Sequence, residues 1–355
     1  AQPGGHDPRH LALWRGPEPP SIRQTVLMSI LEELLASRGI LLVDGAMGTE
    51  LYERGLTAGD PPEMWNIDMP VTITSVHEGY IEAGSDIVLT NSFGGTAFRL
   101  ALHGLDDRVI ELNRVAAQVA RAAASAADRA VIVAGSMGPS GELLAPMGQM
   151  TPETATAAFA DQARGLVEGG VDVLWIETMS SLDEIEAAVA GARAVTELPV
   201  AATMSFDTAG HTMMGVSGEA AAVRLTELGL DAIGANCGNN IADTEAAVEQ
   251  IRSGAATTPV IVKANAGVPE FRGDELVYSA SPEVMGAHVK RMRDLGIAII
   301  GGCCGTSTEH LAYMRRVLDG DVAAPDIDAP GPNRHDDDPG GGSSPRRERR
   351  RRRAA

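Results

Sequence analysis

Short apolar runs recur along the chain and alternate with longer Ala-rich stretches. Eight of the short runs read as strands: ILLVD (40–44), DIVLT (86–90), AVIVAG (130–135), VDVLWIE (171–177), PVAATMS (199–205), DAIGANC (231–237), PVIVKAN (259–265) and IAIIGGC (297–303). They are apolar at nearly every position rather than at every second one. Such strands are buried on both faces, as in a parallel sheet covered by helices. The stretches between them, such as VIELNRVAAQVARAAASAA and TATAAFADQARGLVEGG, read as amphipathic helices. Eight βα units over roughly 280 residues predict an α/β chain closed into a (β/α)8 TIM barrel. A doubly wound sheet would favour G-x-G-x-x-G after the first strand, and DGAMGTE is not that sequence.

The same pattern sets the expected boundaries. Residues 1–27 form an irregular leader with stretches such as PGGHDPRH, which cannot build a core. Met28 opens the patterned text and is a candidate natural start, so deleting 1–27 is expected to leave stability and activity intact. Residues 28–320 form the barrel. Residues 321–355 read as a disordered tail ending in DDDPGGGSSPRRERRRRRAA, a segregated block of charges with no fixed partner.

Composition narrows the function classes. The chain of 355 residues has only 3% aromatic residues, so its core is built from aliphatic side chains and Met. Its net charge is −19, and the tail from Arg346, with seven Arg and one Glu, carries +6, which leaves −25 on the rest. So acidic a body is a poor partner for nucleic acid. Lys263 and Lys290 are the only lysines and neither follows Gly, which excludes a Walker A loop. No run of about 18 apolar residues predicts a membrane span. Three cysteines make no disulfide scaffold and suggest a reducing, cytoplasmic setting.

In a (β/α)8 barrel, chemistry sits at the C-terminal ends of the strands. Those ends carry Asp44, then Thr90 to Ser92, Ser136, Glu177, Ser205, Asn236 with Cys237, Lys263 with Asn265, and Cys303 with Cys304. All three cysteines thus fall on one face. Three thiolates plus an open position suit a catalytic zinc, whereas a closed structural site needs a fourth protein ligand. Buried packing and a vicinal Cys303–Cys304 disulfide remain open as alternatives on spacing alone. The glycines beside GGCCGT would let the backbone bend, so that neighbouring side chains reach one ion. The histidines show no HExxH spacing; His211 and His310 read as surface or capping residues, and His77, His103 and His288 as helical.

The segments DGAMGTEL, LTNSFGG, WIETM, GANCG and GGCCGT, in this order, resemble the homocysteine S-methyltransferase family over about residues 30–318. The resemblance implies Zn2+ on Cys237, Cys303 and Cys304, with the homocysteine thiol in the fourth position. It places Glu177 and Asp44 at the substrate's ammonium. Backbone amides around Gly45 and Ala46 would take the carboxylate, and Asn236 joins this set. For the methyl donor, PPEMWN and TNSFGGTAFRL look most like bacterial betaine–homocysteine methyltransferases. A betaine cage would draw on Trp65, Phe93 and Tyr52. Vertebrate betaine enzymes carry a tyrosine where Gly94 stands here, a departure at that cage. The competing donors are methylcobalamin on a separate corrinoid protein and S-methylmethionine. A remote alternative is a Schiff-base aldolase using Lys263; a non-catalytic zinc barrel is another. The assembly state, a homo-oligomer included, stays open.

Overall fold

The computed structural model describes residues 29–207, 210–255, 257–272 and 275–330. Eight parallel strands form one sheet: β1 (Leu41–Leu42), β2 (Ile87–Leu89), β3 (Ile132–Met137), β4 (Val173–Met179), β5 (Val200–Met204), β6 (Ala232–Cys237), β7 (Val260–Ala264) and β10 (Ile299–Gly302). A short antiparallel hairpin, β8 (Pro269–Arg272) and β9 (Glu275–Tyr278), lies between β7 and β10 in sequence. The sheet order is β1-β10-β7-β6-β5-β4-β3-β2. A parallel bridge between Val43 and Ile87, with Asp44 N–H on Ile87 O at 3.0 Å, brings the two ends together. The result is the TIM barrel expected from the eight apolar runs. The leader and the tail beyond residue 330 lie outside the described residues.

Alternation within the apolar runs decides what each residue packs on. Leu41, Val43, Ile87, Leu89, Ile132, Ala134, Val173, Trp175, Ala201, Ala232, Ile261 and Ile299 form one buried cluster. They share one parity along their strands and fill the barrel interior. Leu31 and Leu34, from the helix Ile30–Arg38 that precedes β1, join this cluster and plug the N-terminal end. The opposite parity, including Leu42, Val88, Val133, Leu174, Val200, Ile233, Val262 and Ile300, packs on the outer helices.

The helices start where the sequence offers caps. Side-chain oxygens of Thr96, Thr151, Ser181, Ser217 and Asn240 accept first-turn amides. His310 completes the cap of Thr308–Asp319, taking the Ser307 N–H at 3.2 Å. His103 is not helical: it follows the helix Ala97–Ala101 in a turn. Residues 321–330 form no helix or strand, yet they lie on the barrel. Ile327 O accepts Arg291 Nη1 at 2.5 Å and Ala329 packs against the core. No helix among the described residues is long and apolar enough to cross a membrane.

Candidate active site

Seven of the eight interior rows turn polar at the C-terminal end of their strands. Two or four residues beyond the last apolar position stand Asn91, Ser136, Glu177, Thr203, Asn236, Lys263 and Cys303, all buried except the half-buried Cys303. A cavity of about 450 Å³ opens there. Its floor holds Cys237, Cys303 and Cys304, and its wall holds Asp44, Ser136 and Glu177.

The three sulfurs lie within 4.8 Å of one another. Sulfurs around a tetrahedral zinc, at about 2.3 Å each, stand roughly 3.8 Å apart, so the set fits a single ion. The backbone reaches this arrangement in two ways. Successive strand residues face opposite sides, so Cys237 would point away from the row of Asn236. A left-handed conformation, φ 62°, breaks the strand at Cys237. After β10, Cys303 N–H bonds Ala264 O at 2.8 Å and Cys304 N–H bonds Asn265 Oδ1 at 3.0 Å. The chain then folds back so tightly that a Cβ on Gly302 would sit 2.2 Å from the Thr306 side chain. Glycine is needed there for close approach, the physical content of the bend expected from the sequence. Hydrogen bonds from Cys237 and Cys303 hold the Cys304 thiol well below its ordinary range. Cys303 is pushed up to about 11, its bond with Cys237 being outweighed by Cys304 and burial.

Glu177 accepts Ser136 Oγ at 2.5 Å, and burial raises its carboxyl to about 7, against the pull of Lys263. Asp44 is already engaged. Its Oδ2 takes the Leu89 N–H at 2.7 Å and its Oδ1 pairs with Lys263 Nζ at 3.1 Å. Burial alone would lower the Lys263 pKa, but Asp44, Glu177 and Cys303 together raise it, so the amine stays protonated. An amine held protonated beside Asp44 is placed for charge balance, which disfavours the aldolase alternative for Lys263. Glu177 is left as an acidic group with no ion pair among the described residues, with Asp44 balancing Lys263.

A homocysteine S-methyltransferase family model matches residues 41–318. The chain belongs to that family. It is 33% identical over 309 residues to the methionine synthase of Mycobacterium leprae, covering 82% of this chain and 25% of that protein. The Mycobacterium tuberculosis methionine synthase is also 33% identical, over 78% of this chain and 24% of its own length. The chain thus spans about a quarter of these relatives. Among solved structures it resembles the metallated homocysteine methyltransferase MmuM of Escherichia coli, with TM-score 0.69 and 26% identity, over 80% of this chain and 98% of that one.

The remaining candidates of this family member fall into two groups. Gly45, Ala46, Tyr52 and Phe93 line the cavity. Ala46 spends its N–H on Thr306 O at 3.0 Å, which corrects its expected use as an anion donor. Asn236 is not in the cavity wall, a second correction. It is fully buried behind the wall, where Oδ1 accepts Thr178 N–H at 2.8 Å and Thr203 Oγ1 at 2.6 Å. Its Nδ2 donates to Thr178 Oγ1 at 2.7 Å and reaches Cys303 Sγ at 3.7 Å. Asn236 therefore holds Thr178, itself left-handed at φ 63°, and steadies a cysteine. Trp65 also leaves the cavity: its ring packs against the core. The segment Pro62–Met64 is a 3-10 turn running into the helix Trp65–Asp68. Two positions along such a turn rotate a side chain by roughly 200–240°, so Glu63 faces the cavity and Trp65 faces away. Glu63 is the residue that sequence reasoning missed. Its only signal was an acidic residue two positions before the tryptophan in PPEMWN.

Proposed function

We propose that this chain is a zinc-dependent homocysteine methyltransferase that takes its methyl group from betaine, giving methionine and dimethylglycine. The observation that carries the reading is the convergence of Cys237, Cys303 and Cys304 with Glu177 in one cavity. The three cysteines would hold Zn2+, which supplies a thiolate from a substrate thiol whose free pKa is near 8.5. Glu177 takes the substrate ammonium, kept in place by Ser136. The Asp44–Lys263 pair keeps the floor's charges balanced, and Asn236 and Asn265 hold the cysteine-bearing turns. In the reaction the homocysteine sulfur forms the new S–CH3 bond as the donor's C–N bond breaks. The bonding pair stays on nitrogen, so the leaving amine is neutral. Tyr52 and Phe93 offer aromatic faces to the donor's cation. Three thiols that must stay unoxidised suit a reducing, cytoplasmic compartment.

A second reading is favoured by the relatives: a homocysteine half that receives its methyl group from methylcobalamin on a corrinoid protein, as one part of longer methionine synthases. Incubating zinc-loaded protein with homocysteine and betaine separates the two. Methionine with an equal yield of dimethylglycine is expected. Methionine formed only with methylcobalamin present would transfer the assignment to the second reading, and product only from S-methylmethionine would change the donor. A Cys304→Ala variant retaining full activity would refute a catalytic metal.

A further inference from the structure

We propose that Glu63 is the counter-ion for a positively charged methyl donor, so that the outer half of the cavity selects a small zwitterion with an onium methyl group. This deepens the methyltransferase reading and rests on it.

Glu63 is 6% exposed and lines the same cavity as the three cysteines. Its Oε1 accepts the Gly94 N–H at 2.7 Å, and among the described residues it makes no ion pair. The position is built rather than incidental. Asn66 Nδ2 bonds Glu63 O at 2.9 Å and Asn91 O at 2.7 Å, while Asn91 Nδ2 bonds Pro62 O at 2.8 Å. These bonds pin the Glu63 segment to the end of β2. A side chain at 94 would collide with the carboxylate, since a Cβ there would lie 2.8 Å from Oε1. The structure thus holds a buried, unpaired carboxylate in place. Burial raises its pKa, opposed by backbone hydrogen bonds, the Gly94 N–H among them, and by the charges of Arg99 and His103. Such a group is costly without a cation and is completed by one.

The ligand's other end follows from the same wall. Arg99 lines the cavity, makes no ion pair among the described residues, and suits a carboxylate. Phe93 and Tyr52 flank the space, 39% and 55% exposed. A donor with a methylated cation at one end and a carboxylate at the other fits this order of groups. Methylcobalamin carried by a partner protein would gain nothing from it.

The charge also fixes which kinetic constant responds. An onium loses its positive charge as its methyl group leaves, so Glu63 favours the bound donor at least as much as the transition state. Removing that charge should raise the donor's KM and leave kcat unchanged or slightly higher.

The test compares each cation with its neutral carbon isostere, by calorimetry on the zinc-loaded full chain with homocysteine left out, so that no methyl acceptor is present. Betaine is set against 3,3-dimethylbutanoate, and S-methylmethionine against homoleucine. Binding is read without turnover, so a failed methyl-transfer assay and a failed Glu63 assignment are separate results. The wild type should bind at least one cation about tenfold or more tightly than its isostere. Glu63→Gln keeps an acceptor for the Gly94 N–H and should bring that ratio near one, with homocysteine affinity unchanged. Arg99→Met should weaken cation and isostere alike and leave the ratio intact. A wild type that prefers neither cation, or a Glu63→Gln protein that keeps the preference, overturns the proposal.

Discussion

At the scale of single residues, the site is a division of charge. Asp44 and Glu177 look equivalent in the sequence, each an acid at a strand end. The structure separates them, because Lys263 from β7 reaches Asp44 and leaves Glu177 with only a hydroxyl partner. Glu177 is thus the group whose loss should affect substrate binding. Replacing it with Gln removes a charge-assisted contact of about 1.5–3 kcal/mol. The expected result is a rise of roughly 10- to 100-fold in the homocysteine KM, with zinc content unchanged. A pH signature accompanies it. The free carboxyl titrates near 7, so below that pH it must lose a proton before pairing with an ammonium. Homocysteine affinity should therefore fall as pH drops below 7 in the wild type, by up to about tenfold per unit, and this component should vanish in Glu177→Gln.

At the scale of elements, the N-terminal end of the barrel is held by one acid. Asp86, just before β2, takes the Leu42 N–H of β1 at 2.9 Å. It also pairs with Arg38 at the end of the first helix, with Arg129 at 3.4 Å, and with Arg315 at 3.5 Å. Four separate segments thus meet on a carboxylate that is almost fully buried. Its removal would leave three guanidinium groups facing one another and a strand amide without its acceptor. Asp86→Ala should cost about 3–5 kcal/mol, measured by denaturant unfolding, while the KM for homocysteine in the surviving folded protein stays unchanged. The separation is physical: stability is concentrated at the end where the strands begin, and chemistry at the end where they finish. None of this clamp was legible in the sequence, where Asp86 is one acid beside an apolar run. The strands were legible, because burial on both faces leaves an unbroken apolar signature. The hairpin β8–β9 was not. Its four-residue strands are shorter than the runs that betray a buried sheet.

At the scale of the whole molecule, the acid stability of the barrel should depend on a histidine outside the site. His77, on the helix Pro70–Glu82, is fully buried with neither ring nitrogen bonded, and burial depresses its pKa to about 4. The folded protein keeps this imidazole neutral, while the unfolded chain protonates it near 6.5. Between those values the unfolded state binds more protons, so stability falls as pH falls from about 6.5 towards 4. Between pH 7 and 4.5 the wild type should lose about 2–3 kcal/mol more than His77→Leu. Denaturant midpoints at the two pH values check this, and equal slopes for the two proteins would refute it.

The sequence by itself determined the barrel, the strand ends that carry polar groups, and the three cysteines that share one face. These follow from local rules: apolar runs at strand length, helical spacing between them, and chain order around a closed sheet. The tertiary structure alone decided which polar groups are free. Asp44 was paired off by a lysine 219 residues away, Asn236 was drawn behind the wall, and Trp65 was turned into the core while Glu63 was turned out. Those outcomes depend on rotation about a short turn and on partners from other strands. Distances between side chains far apart in the chain are set only when the barrel closes.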